Sequence, residues 1–180
     1  LSSGARVDIW FSPNRPERSK PNRKNRPAPV PPDLAEVYRL MRRAREAIVF
    51  VAFYPGQAGK DCIIGEAIDI GLKDPSLLVA GTVSSAQAMP NYRATRKEDG
   101  EVVDEGESPN TYDDGNVSIV RASRIDDRSL VGDFGAEQLT AKGAIGAITH
   151  DKIVVIDPMS ETDCVVIFGS HNLGFKASYS

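Results

Sequence analysis

Residues 48–53 read Ile-Val-Phe-Val-Ala-Phe, six apolar side chains without a break. A strand with one wet face alternates apolar and polar residues, so this run predicts a strand covered on both faces. Helices are what usually provide such cover, which points to an α/β architecture. The flanking pattern agrees. After Pro31-Pro32-Asp33, the residues Leu34, Val37, Tyr38, Met41 and Ala44 recur at steps of three and four, predicting a helix with Asp33 as N-cap. Ile63, Ile64, Ala67, Ile68 and Leu72 predict a second helix from near Asp61 to just before Pro75. Residues 77–83 form the next apolar run. Strand and helix alternate at this spacing in a mixed, largely parallel sheet flanked by helices on both faces.

Other segments are more irregular. Residues 7–11 (Val-Asp-Ile-Trp-Phe) are β-type, with Trp10 and Phe11 as core or edge anchors. Residues 13–32 hold seven prolines and six Lys or Arg against Glu17 alone, which predicts an exposed basic loop. Residues 98–114 carry eight Asp or Glu and no Lys or Arg, the pattern of an acidic surface excursion. Their spacing does not match a calcium loop, and no metal site is expected. Residues 117–122 predict a strand, and 136–142 a short helix among glycines. The 180 residues make one domain, 1–180. A net charge of −3 argues against nucleic-acid binding by bulk charge. No stretch of ~18 apolar residues is present to span a bilayer. Cys62 and Cys164 are far apart and read as packed thiols, and composition leaves the cellular compartment open. The first residues show neither an initiator Met nor a signal peptide, which predicts a chain processed or cut from a longer one.

The chemistry lies in the last third. Residues 149–157 read Thr-His-Asp-Lys-Ile-Val-Val-Ile-Asp, and alternation along a strand places His150 and Lys152 on one face. An imidazole beside an ammonium offers a nucleophile or base next to fixed positive charge. A second strand, 164–168, leads into Gly169-Ser170-His171-Asn172. If the two strands pair, Ser170 and Asn172 share that face, and the four groups together suit a tetrahedral oxyanion such as phosphate. Asp157 closes the first strand before Pro158, where a carboxylate commonly serves the turn. His171, by alternation, faces away and reads as structural.

His150-x-Lys152-x4-Asp157 followed by Gly169-Ser170-x-Asn172 resembles the signature of the phospholipase D superfamily. The Trp10–Asn14 opening and the Gly174–Tyr179 ending are similar to the C-terminal half of bacterial two-motif members. The resemblance implies a metal-independent, cofactor-free phosphodiester hydrolase or transphosphatidylase of lipid metabolism, acting on a phospholipid or other phosphodiester. Two motifs meet across an interface; one His forms a phosphohistidine and the other protonates the leaving alcohol. Carried onto this chain, His150 is nucleophile or general acid. Lys152, Ser170 and Asn172 bind phosphate, and Asp157 completes the catalytic motif. The second motif would come from another half of the parent chain or from a homodimer. Members commonly orient the catalytic His with an acid beyond the Asn segment, and none occurs up to Ser180. Two alternatives stand beside this reading: a dimeric nuclease of the same superfamily, favoured by the basic arm, and a non-catalytic anion-binding scaffold half.

Overall fold

The computed structural model describes residues 4, 6–11, 29–56, 59, 61–84, 86–93, 95–96, 102–103, 111–122 and 150–179. The elements in chain order are α1 (Pro32–Met41), β1 (Ala47–Ala52), α2 (Ile63–Lys73), β2 (Leu78–Val83), β3 (Thr95–Arg96), β4 (Val102–Val103), β5 (Thr111–Asp114), β6 (Val117–Arg121), β7 (Lys152–Ile156) and β8 (Val165–Phe168). Six of the strands form one sheet in the order β5-β6-β2-β1-β7-β8, while β3 and β4 pair separately. The α/β fold with a mixed sheet is as the apolar runs require. Its parallel part is the centre, β6-β2-β1. The margins β5, β7 and β8 add antiparallel pairs.

Register decides which residues form the core. Ile48 lies opposite Val79 and Ile156, and Phe50 opposite Gly81 and Val154, so these side chains share a face. With Val117 and Ile119 they are buried under Leu34, Tyr38 and Met41 of α1 and Ile63, Ile64 and Ala67 of α2. Burying a side chain of this size contributes roughly 1.5–3 kcal/mol, which makes this one layer the main source of stability. Gly81 has a specific task here. A Cβ on it would stand 2.2 Å from the Phe50 ring, so only glycine lets the ring lie flat over β2.

Among the described residues both helices lie on this face, and the further helix expected at 136–142 falls outside them. The odd-numbered partners Val49 and Val51 are half-buried, and Leu78, Val166 and Phe168 on the same side are exposed, Phe168 by 77%. Among the described residues the unbroken apolar run thus forms a strand with one deeply covered face and one half-buried face. No described helix is long and apolar enough to cross a membrane.

Several local expectations change. Residues 7–11 form no strand, and Trp10 and Phe11 are exposed, Phe11 by 87%, so neither anchors a core. Apolar alternation needs a neighbouring edge to become a strand, and no described edge pairs with this segment. Within the acidic stretch β4 pairs with β3, and β5 forms a hairpin with β6 through Gly115 and Asn116. Asp113 fits there because it accepts a hydrogen bond from Ser118 Oγ at 2.7 Å. Helix α1 starts two residues earlier than expected, with Pro31 as its N-cap, and Asp33 accepts the Leu34 N–H instead. Cys62 is packed, whereas Cys164 is exposed at the start of the β7–β8 return. Residues 13–28 of the basic loop 13–32 and the helix expected at 136–142 lie outside the described residues.

Candidate active site

Strands β1, β2, β6 and β8 all point their C-terminal ends to one edge of the sheet, and β7 starts there. In open α/β sheets that edge is where ligands bind. Lys152 opens β7 opposite Ala52, the last residue of β1. Its stem takes an inward position, so the side chain is only 6% exposed, while the ammonium reaches the edge. His150 sits one turn of the pleat earlier, outside the ladder and exposed.

The two side chains meet. Lys152 Nζ lies 3.3 Å from His150 Nδ1 and also donates to the His150 carbonyl. An ammonium can only donate, so Nδ1 receives this hydrogen bond and the neutral ring carries its proton on Nε2. In that tautomer Nε2 offers a hydrogen-bond donor, and the ring must take a second proton before it can give one up as an acid. An ammonium has three N–H groups, which leaves one for an incoming anion.

Phe53 completes the cluster, and nothing in the spacing singled it out from the apolar run that contains it. Its ring centroid is 4.5 Å from that of His150 at a tilt of 54°, and Lys152 Nζ is 5.2 Å from the Phe53 centroid. Such contacts contribute about 0.5–1.5 kcal/mol each and limit the ring and the ammonium to one arrangement. The available signal was position alone: Phe53 ends the run at the carboxyl edge of a parallel strand.

The Gly-Ser-x-Asn segment arrives at the same edge, in a different orientation from the one alternation predicts. Ile153 pairs with Phe168. Continued outward, that register places His171, not Ser170 or Asn172, on the face of His150 and Lys152. The expectation that Ser170 and Asn172 share their face is therefore corrected. The chain bends after Phe168, leaving Ser170 exposed and Asn172 half-buried. It then docks onto the start of α2: Ile63 N–H donates to the Leu173 carbonyl at 3.2 Å, and Phe175 N–H to the Asp61 carbonyl at 3.1 Å. Gly174 bridges to Cys62, and a Cβ there would fall 1.4 Å from the Pro55 carbonyl oxygen. Only glycine fits. The docking holds Leu173 at φ +54°, a conformation costly for a non-glycine residue. Next to it, Asn172 Oδ1 is buried without a hydrogen-bond partner.

Asp157 stands apart from this cluster. It lies past the other end of β7, roughly 16 Å along the strand from Lys152. Oδ1 accepts the N–H groups of Arg45, Glu46 and Ala47 at 3.0, 2.8 and 3.1 Å, and Oδ2 shares that of Arg45 at 3.0 Å. Burial alone would raise its titration, but the hydrogen bonds from Glu46, Ala47 and Arg45 outweigh it and hold the carboxyl below its ordinary value. Asp157 is thus a cap for the entry to β1, which corrects its place among the catalytic residues. A hollow of about 330 Å3 lies at this lower end, lined by Arg43, Arg45, Asp157 and Asp163 among others. Two cations face two carboxylates there, so it offers no excess charge to an anion, and it lies at the opposite edge from His150.

Among the described residues no group of three His, Cys, Asp or Glu side chains converges to hold a metal ion. No protein-family model matches the chain, and no curated protein or solved structure matches it significantly.

Proposed function

We propose that this chain is one half of a phosphodiester hydrolase or transphosphatidylase of the phospholipase D type, acting on a phospholipid-like diester. The observation that carries the reading is the pairing of an exposed imidazole with a buried-stem ammonium 3.3 Å away at the carboxyl edge of the sheet. The Gly-Ser-x-Asn segment leads off the neighbouring strand at the same edge. Lys152 and the Asn172 carboxamide would hold the non-bridging oxygens. As the imidazolium His150 would protonate the leaving alcohol from Nε2, with Lys152 turned from Nδ1 to a phosphate oxygen.

The nucleophile is then the imidazole of a second motif, from another half or another copy. Its nitrogen forms the bond to phosphorus as the P–O bond to the alcohol breaks, and His150 supplies that alcohol's proton. In the second step His150 takes a proton from water, or from an acceptor alcohol, which displaces the phosphohistidine. One imidazole cannot attack phosphorus and protonate the group leaving on its far side, so the in-line geometry requires two.

The test compares wild type and His150→Ala on phosphatidylcholine vesicles in EDTA, reading release of the alkyl headgroup alcohol, with oligomeric state measured on the same samples. Turnover by wild type in EDTA, lost in the variant, is the expected result. Equal turnover in both proteins would remove His150 from the reaction. Phosphate binding by both with turnover by neither would favour the scaffold reading instead.

A further inference from the structure

His171 fills the variable place between Ser170 and Asn172, and the site above makes no use of it. Its side chain is 19% exposed and is held by three parts of the chain. Nδ1 accepts the Leu173 N–H at 2.8 Å. Nε2 lies 3.2 Å from Ser178 Oγ in the final turn and 3.2 Å from Asp33 Oδ2 in the first turn of α1. This is not a Ser-His-Asp relay. In such a relay the carboxylate takes one ring nitrogen and the hydroxyl the other, whereas here both crowd Nε2 and Ser178 is fully buried.

The arrangement does something else. A backbone N–H can only donate, so the Leu173 contact exists only while Nδ1 keeps its lone pair. The neutral ring's single proton is on Nε2. There Ser178 has hydrogen-bond geometry, while Asp33 Oδ2 stays buried without a hydrogen bond and interacts by charge alone. A second proton must go to Nδ1, where it meets the Leu173 N–H head-on. Leu173 is also the residue held at φ +54°, so losing that contact lets its backbone relax and carries Asn172 with it.

We propose that His171 is a positioning residue acting as a proton-controlled clasp: neutral, it fixes the Asn172 loop to α1 and the final turn, and protonated, it lets the loop go. Two influences oppose each other at the ring. Burial pushes its titration down, and the Asp33 carboxylate pulls it partly back. Asp33 is the charged group facing the ring among the described residues. The depressed titration means that folding loses stability as pH falls below about 6.5, the ordinary histidine value. The clasp matters for turnover only if Asn172 binds phosphate as proposed above, and its primary readout does not depend on that.

The chain has two histidines, so a long-range 1H–15N spectrum of the labelled protein resolves both rings. At neutral pH His171 is expected as the Nε2–H tautomer. On acidification the Leu173 amide and the Asn172 carboxamide should move with the same midpoint as the ring. His171→Asn, which retains an acceptor for Leu173, should abolish that shared transition. Asp33→Asn should move it to lower pH. An Nδ1–H tautomer, a Leu173 amide that ignores the ring, or a transition unchanged in Asp33→Asn would overturn the clasp. If wild type turns over diester, its acid limb should be lost in His171→Asn, and an unchanged pH profile also counts against the clasp. Coupled spectra without any turnover would instead sink the phosphodiesterase reading and leave the clasp standing.

Discussion

Strand β7 begins with Lys152 just after His150 and ends against Asp157, and its two ends are built differently. At the lower end the Asp157 carboxylate is matched: 3% exposed, it accepts three consecutive N–H groups and fixes the chain entering β1. At the upper end an imidazole is exposed and an ammonium has a donor to spare. Residues of one short motif thus do opposite work. Saturated polar groups stabilise the fold, whereas unsatisfied ones at a strand end are what a ligand can complete.

If the two ends differ in this way, substitutions at each should separate stability from turnover. The largest effect is expected for His150→Ala, with turnover down on the order of a thousandfold and the unfolding midpoint nearly unchanged, since the ring is exposed. Circular dichroism melts and initial rates on the same preparation check both halves. Asp157→Ala should do the reverse. Orphaning backbone donors costs about 1–3 kcal/mol each in the limit, so a loss of about 3 kcal/mol in urea unfolding is expected, with kcat per folded molecule retained. A drop in kcat at full stability would erase the distinction between the ends.

Phe53→Leu keeps an apolar filler but removes the ring beside His150. Turnover is expected to fall on the order of tenfold, with little change in stability. The smallest effect concerns pH. Because folding holds Asp157 below its ordinary titration, its contribution is present above about pH 4 and lost as pH falls through the lowered value. Asp157→Asn should flatten that part of the acid unfolding curve, and an unchanged slope would show that other carboxylates produce it.

The distinction between the ends was partly legible in the sequence. The strands β1, β2, β6, β7 and β8 and both helices follow from apolar runs and three- and four-residue spacing, because each such element must bury one stripe or face. His150 and Lys152 follow from alternation at the start of an apolar strand. What escaped depends on long-range geometry. The side on which Ser170 and Asn172 fall is set by the register of β8 and by the bend after Phe168, neither of which spacing encodes. Phe53 looked like any other residue of its run, since its role comes from ending at the edge where β7 begins. Val7, Ile9, Trp10 and Phe11 have β-type composition, but a strand also needs an edge to pair with. The partners of His171 lie 138 positions upstream at Asp33 and seven downstream at Ser178, and only the folded chain brings them together.

In the proposed reaction the imidazole at the upper end of β7 gives its proton to the leaving alcohol. The direct measurement is the loss of kcat/KM in His150→Ala on two diesters that differ only in the leaving group, p-nitrophenol or a simple alkyl alcohol. An activated phenol departs without a proton, whereas an alkyl alcohol needs one. A loss at least tenfold greater on the alkyl ester is expected for a leaving-group acid. Equal losses on the two substrates would contradict it and assign His150 another role.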